Sequence, residues 1–189
     1  SGHGQSSGEL ETTCFSDWYQ DAEYLINKKT KDKQILIGSS MGAWIMLMLA
    51  KRIPQKISAI IGLAPAPDFP KILIWDKMTG NEKRKLVKNR KISIKYEDGS
   101  KNDFSYKLIK DSFKNLTLSK SIPFNGPVYL YHGMADDAVP YDLSIKIIKT
   151  YKGTKDIKLL LDKDAGHRLS DADQLKNITN IIEEIKTKI

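Results

Sequence analysis

The chain has 189 residues, and 31 lysines and arginines against 23 aspartates and glutamates leave a net charge of +8. With 40% hydrophobic and 29% charged residues, it can bury one substantial core, which argues against a disordered tail, a collagen-like fibre or a disulfide-stapled miniprotein. The longest strictly apolar run, Ala43 to Ala50, has eight residues where a membrane-spanning helix takes about 20, so no membrane span is expected.

The chain opens on Ser1-Gly2-His3-Gly4-Gln5-Ser6-Ser7-Gly8, with no methionine and no charged-then-apolar signal pattern, and reads as entered in mid-domain. Ser16 is placed to cap a helix whose apolar positions Trp18, Ala22, Leu25 and Ile26 fall near helical spacing, ending at Lys28-Lys29. Gln34-Ile35-Leu36-Ile37-Gly38 is a short apolar run stopped by glycine, the pattern of a buried parallel strand. Met41 to Ile53 predicts an apolar helix closed by Pro54, and Ile57 to Leu63 a second buried strand.

From Ala64 to Phe124 the alternation breaks. Pro65, Pro67 and Pro70 punctuate a loop, followed by the apolar Ile72-Leu73-Ile74-Trp75, a cationic stretch from Lys83 to Lys95 and a helix near Phe104 to Phe113. The alternation then resumes with strand Val128 to Tyr131, helix Tyr141 to Tyr151, strand Ile157 to Leu161 and a last helix capped by Ser170, with Leu175, Ile178, Ile182 and Ile185 on its inner stripe. Strands separated by helices imply an α/β fold with a mainly parallel sheet. Residues 1–189 are read as one domain, with an insertion over about 68–122 above the carboxyl ends of the strands, where ligands bind in such sheets.

Two compositional features bear on partners and compartment. Of the 31 basic residues only Arg52, Arg84, Arg90 and Arg168 are arginine, the side chain that reads phosphates and guanines bidentately. Scattered lysines solvate a surface, so no nucleic-acid partner is expected. The single cysteine, Cys14, cannot form an internal disulfide and lies outside any clustered zinc-ligand spacing. It points to a reducing, cytoplasmic setting.

The sharpest motif is Gly38-Ser39-Ser40-Met41-Gly42, a G-x-S-x-G between a predicted strand and a predicted helix. Such a turn lifts the hydroxyl of Ser40 above the sheet on a strained backbone, with glycines where flanking side chains would collide. The backbone N–H of Met41, at the helix start, would face the oxygen that becomes negative during attack on a carbonyl. A serine hydroxyl needs a base, so a histidine and an acid are expected later in the chain. Of the three histidines, His3 precedes the serine and His132 ends a strand, where it reads as bracing a loop. His167 follows the last predicted strand and has the place of the base. Asp136, in the loop after strand Val128 to Tyr131, is favoured as the acid that orients His167, with Asp137 its adjacent rival.

At these places the chain resembles the α/β-hydrolase superfamily. Gly38-Ser39-Ser40-Met41-Gly42 is similar to its nucleophile elbow, His132-Gly133-x-x-Asp136-x-x-Val139-Pro140 to its acid loop and Gly166-His167 to its histidine loop, while Ser1-Gly2-His3-Gly4-x-Ser6 looks like the turn after its fourth strand. Gly38 to Trp44, Ala64 to Phe69 and His167 to Ser170 resemble more narrowly the branch containing a mitochondrial palmitoyl-protein thioesterase that also cleaves acyl glucuronides. The resemblance implies a three-layer α/β-hydrolase sheet with an inserted lid. It also implies a serine hydrolase that cleaves a small-molecule carboxylic ester or thioester through an acyl-serine, with the catalytic triad Ser40, His167 and Asp136 and no metal or organic cofactor. Ile72, Leu73, Trp75 and Met78 would wall an apolar acyl chain, or pack the lid itself.

The chain departs from the superfamily pattern at its N-terminal side. Strands before the Gly-His-Gly turn are missing, and with them the loop that supplies a second oxyanion donor, a loss costing about 2.7–4 kcal/mol of transition-state stabilisation. The sheet is therefore expected to be incomplete there, with an exposed edge open to self-association or to pairing with the missing segment. A serine peptidase on the same framework, and a truncated, non-catalytic remnant that binds a partner, are the alternatives.

Overall fold

The computed structural model describes residues 1–95, 99 and 101–189. Of the expected insertion, residues 96–98 and 100 therefore lie outside the described residues. The described chain forms two compact units, one of Ser1–Glu23 with Asp68–Leu116 and one of Tyr24–Pro67 with Thr117–Ile189.

The second unit is built on a parallel sheet of β1 (Gln34–Ser39), β2 (Ile57–Leu63), β5 (Val128–Gly133) and β6 (Ile157–Asp162), in the order β1-β2-β5-β6. These runs are rich in isoleucine, leucine and valine, and helices separate most of them, the condition for a parallel sheet covered on both faces. Side chains alternate across the strands. Ala59, Ile61, Tyr129 and Tyr131 meet Ile181 and Ile185 of helix α6 (Ala172–Lys186) on one face. On the other face, a Cβ at Gly62 would point toward Met46 of helix α2 (Met41–Arg52), 3.6 Å from its Cε. Helix, sheet and helix thus form three layers, and β1, β2, β5 and β6 all end on the same edge, with Ser39 opposite Leu63, Leu63 opposite Tyr131 and Gly133 opposite Asp162.

The strands and helices of this unit lie where their hydrophobic patterns predict, with small shifts at the ends. β5 continues to Gly133 and so contains His132, and helix α5 spans Asp142–Thr150. The cap of α6 is a correction. Asp171, not Ser170, is the N-cap, and its N–H donates to Oε1 of Gln174 at 3.1 Å. An Asp with Gln three residues on can satisfy two terminal groups reciprocally, and here Asp171 and Gln174 do so.

In the first unit, residues 1–23 join residues 68–116, an association with no local signature in the sequence. Helix α1 (Phe15–Lys29) begins one residue before Ser16, so Ser16 is not its cap. Its N–H and hydroxyl instead donate to the two carboxylate oxygens of Asp111, each at 2.8 Å, while Asp17 accepts from the N–H of Cys14 at 2.9 Å. A contact with a residue 95 positions away outcompetes the local cap. Helix α3 (Gly80–Asn89) starts on a capping box of Thr79 and Glu82, and helix α4 (Tyr106–Ser112) on Ser105.

The segment from Lys83 to Ser105 holds a second correction, because β3 (Lys91–Lys95) and β4 (Lys101–Ser105) pair antiparallel where only a cationic stretch and the start of a helix are expected. Ile92 and Ile94 alternate with Lys91, Ser93 and Lys95 and turn, with Phe104, onto a small core of Ile74, Leu86 and Ile109. So few apolar residues do not read as a strand without the partner that pairs with them.

Candidate active site

Ser40 sits between β1 and α2 with φ 52° and ψ −117°, a left-handed backbone that side chains rarely adopt. Hydrogen bonds hold it there. Its N–H donates to the carbonyl of Leu63 at 2.9 Å, and its own carbonyl accepts from the N–H groups of Ala43 and Ala66, each at 3.1 Å. The Ala66 bond comes from the buried loop after β2, which begins at Ala64, itself at φ 42° and bonded to the carbonyl of Tyr131 at 2.8 Å. Strain at a reactive residue persists only when its surroundings over-determine it, as these bonds do.

The two motif glycines are not equivalent. A Cβ on Gly38 would lie 2.6 Å from the carbonyl oxygen of Gly42 and 2.7 Å from the amide nitrogen of Ala43, so strand and helix approach too closely for a side chain. A Cβ on Gly42 would meet nothing within 4 Å. The expectation that collision demands glycine at both places is corrected to Gly38 alone. Met41 opens α2, where an N–H has no acceptor within the helix.

His167 lies in the turn between β6 and α6, with its side chain 26% exposed. Its Nε2 is 3.0 Å from Oγ of Ser40, and its Nδ1 is 2.7 Å from Oδ2 of Asp136. Asp136 turns inward from the loop after β5 with its side chain fully buried, while Asp137 beside it is exposed. The structure therefore brings Ser40, His167 and Asp136 into one hydrogen-bonded row, with Asp137 exposed beside it.

Burial by itself would raise the carboxyl pKa of Asp136, but hydrogen bonds from His132, His167 and the Val139 amide outweigh it and hold the group well below the ordinary carboxylate range. Oδ1 accepts from the amides of Ala138 at 3.0 Å and Val139 at 2.8 Å, and Oδ2 from Nε2 of His132 at 3.1 Å. The ionised form thus faces His167.

The other predicted residues fall elsewhere. His3 is in the first unit, where Nδ1 is 3.2 Å from the carbonyl of Ser1 and the ring stands edge-on to Trp18. Ile72, Leu73, Trp75 and Met78 are also in the first unit and partly buried. Trp75 and Met78 pack against that unit's own core of Ile74, Leu86 and Ile109, with Lys83 over the Trp75 ring. Among the described residues, no group of three or more His, Cys, Asp or Glu could hold a metal, and no helix is long and apolar enough to cross a membrane.

Three contributors escape a reading of the sequence: the Ala66 amide, bonded to the Ser40 carbonyl, Gly133, where an added Cβ would stand 2.0 Å from the Ala165 carbonyl oxygen, and Ser144, whose Oγ lies 2.7 Å from Nδ1 of His132. Each acts through backbone or through a residue distant in the chain, and no spacing rule links them to the motif.

The chain's likeness to known proteins agrees with this geometry. A family model for the alpha/beta hydrolase fold matches residues 1–90. Human palmitoyl-protein thioesterase ABHD10, mitochondrial, is 30% identical over 191 residues, which cover 100% of this chain and 62% of the relative, so the chain spans about three fifths of that protein's length. A crystal structure from Agrobacterium vitis S4, provisionally named a hydrolase, has a TM-score of 0.92 at 31% identity and covers 98% of this chain and 73% of its own. Alpha/beta hydrolase domain-containing protein 10 from mouse also has a TM-score of 0.92, at 26% identity over 100% of this chain and 75% of that one. The mainly parallel sheet, the strand-to-helix serine turn and relatives matched along the whole described chain lead to one conclusion, that the chain belongs to the alpha/beta hydrolase superfamily.

Proposed function

We propose that the protein is a serine hydrolase that cleaves a carboxylic ester or thioester through an acyl-serine. The observation that carries this reading is the distance of 3.0 Å between Oγ of Ser40 and Nε2 of His167, with Nδ1 of the same ring 2.7 Å from buried Asp136.

In the proposed reaction Oγ of Ser40 attacks the acyl carbon as its proton passes to Nε2 of His167. Asp136 accepts the Nδ1–H and stabilises the imidazolium, and the Met41 N–H donates to the developing oxyanion. The bond to the leaving oxygen or sulfur then breaks, and the imidazolium returns its proton to that atom. Water gives a proton to His167 and its hydroxyl to the acyl carbon. The bond to Oγ then breaks as the imidazolium returns that proton to Oγ, which releases the acid and restores Ser40.

An acyl thioester with a long apolar chain is the favoured substrate class, on the strength of the relatives' name and their 30% identity to this chain. The cytoplasmic expectation rests only on Cys14 and draws no support from relatives named as mitochondrial. The proposed pairing of another segment or a second copy at β1 is supported by the position of that strand at the sheet edge and by Ile37, which is half exposed.

The test is labelling by an active-site-directed fluorophosphonate. Wild type is expected to label and Ser40→Ala to stay unlabelled. Folded wild type that does not label favours the non-catalytic remnant.

A further inference from the structure

Asp136 serves two histidines. Oδ2 lies 2.7 Å from Nδ1 of His167 and 3.1 Å from Nε2 of His132. The reaction proposed above uses the first and leaves the second, whose ring is completely buried, without a task. We infer that His132 and Ser144 form a positioning pair, a buried donor arm that locks the carboxylate of Asp136 in the orientation His167 needs. This rests on the reading of Ser40, His167 and Asp136 as a hydrolytic triad.

The argument is one of hydrogen-bond inventory. Nε2 of His132 lies 2.9 Å from the carbonyl oxygen of Val139, an acceptor only, so Nε2 carries a proton. That proton is shared between the Val139 carbonyl and Oδ2 of Asp136. Nδ1 of the same ring lies 2.7 Å from Oγ of Ser144, on helix α5. Ser144 has no accessible surface, and leaving its hydroxyl hydrogen unpaired in the interior would carry the full desolvation penalty. Nδ1 of His132 is the acceptor in reach, so Ser144 donates to it. The tautomer with its proton on Nε2 follows, and a second proton on Nδ1 would displace the hydroxyl hydrogen of Ser144.

The consequence falls on the acid. Oδ1 is held by the amides of Ala138 and Val139, so two bonds fix that one oxygen and leave Oδ2 to be placed by other donors. Oδ2 alone faces His167, and the fully buried ring of His132 bonds the same oxygen. His132 also grips the carbonyl of Val139, so one ring nitrogen fastens both the carboxylate and the turn that carries its amide donors. Ser144 fixes the ring in turn, from a helix that touches neither Ser40 nor His167 by any hydrogen bond among the described residues. Without the pair Asp136 keeps its amide donors but gains freedom to swing Oδ2 away from His167.

Two measurements on the full chain test this. In nitrogen-15-labelled histidine NMR, where the chain has only three histidines to assign, His132 is expected to show a protonated Nε2 and a bare Nδ1. The opposite tautomer overturns the proposal. In fluorophosphonate labelling, His132→Leu is expected to lower the maximal rate by about tenfold to a hundredfold, the worth of one hydrogen bond to a charged group, with the half-saturating concentration unchanged. His132→Gln, which can restore a donor near Nε2, is expected to recover most of the rate. Should His132→Leu fail to fold, Ser144→Ala takes its place, with an expected loss of about threefold to tenfold.

A folded His132→Leu or Ser144→Ala variant that labels at the wild-type rate overturns the positioning role and leaves the hydrolase reading intact. Wild type that does not label overturns both, whatever tautomer is found.

Discussion

Gly133, the last residue of β5, lies so close to Ala165 that a Cβ added to it would stand 2.0 Å from the Ala165 carbonyl oxygen. The contact joins the strand that launches Asp136 to the turn that carries His167. Two amides reinforce it, Met134 donating to the carbonyl of Asp162 at 2.7 Å and Ala135 to that of Ala165 at 3.1 Å. The spacing of acid and histidine is thus set by backbone packing, before either side chain takes part.

Gly133→Ala is accordingly expected to push the His167 turn outward. A displacement of the order of 1 Å at a reacting group costs about a hundredfold in rate, and overpacking costs about 1–3 kcal/mol of stability. Fluorophosphonate labelling and urea unfolding measured side by side check both effects. Unchanged labelling would show that the turn can yield without moving His167.

The two elbow glycines should respond differently to a methyl group. Gly38→Ala places its Cβ 2.6 Å from backbone that cannot retreat without separating β1 from α2, and a loss of about 1–3 kcal/mol is expected. Gly42→Ala adds a methyl where nothing lies within 4 Å and raises helix propensity by up to about 1 kcal/mol. Thermal unfolding of both variants should give shifts of opposite sign.

Asp136 links activity to pH and to stability in separable ways. Its carboxyl is held below the ordinary range, so its contribution to folding is complete above the unfolded value of about 3.9 and is lost as pH falls through the lower folded value. Asp136→Asn removes that contribution. Denaturant titrations should show the stability gap between wild type and variant narrowing below about pH 4. Under the hydrolase reading proposed above, the same variant is expected to turn over an ester about 10⁴-fold more slowly at neutral pH, because the amide favours the wrong tautomer of His167.

Cys14 should be unreactive near neutral pH. Burial pushes its thiol up to about 11, helped by the hydrogen bond it donates to Asp17 at 3.2 Å and by the nearby charge of Asp111. Reaction with a chromogenic disulfide at about pH 8 is expected only after denaturant is added. The raised folded value also means that stability is unaffected below the unfolded thiol value of about 8.5 and falls as pH rises beyond it toward the folded one.

The element order was legible in the sequence because strands and helices of the second unit bury continuous or periodic apolar faces. Ile57 to Leu63 and Met41 to Arg52 read correctly to within a residue. The serine turn was legible too, since Gly38 and Ser40 have conformational needs that few residues meet. Local pattern failed wherever a distant partner set the outcome. Ser16 gave up its cap for Asp111, β3 and β4 acquired strand character from each other, and residues 1–23 joined residues 68–116.

By itself, then, the sequence determined which segments become strands and helices, and that Ser40 would stand at a strand-to-helix turn, because backbone sterics and hydrophobic periodicity act over a few residues. Only the tertiary structure decided that Asp136 rather than Asp137 turns inward, that His167 bridges it to Ser40, and that His132 shares its oxygen. Hydrogen-bond reach is a matter of ångströms between residues up to 127 positions apart, and sheet register and close packing set those distances.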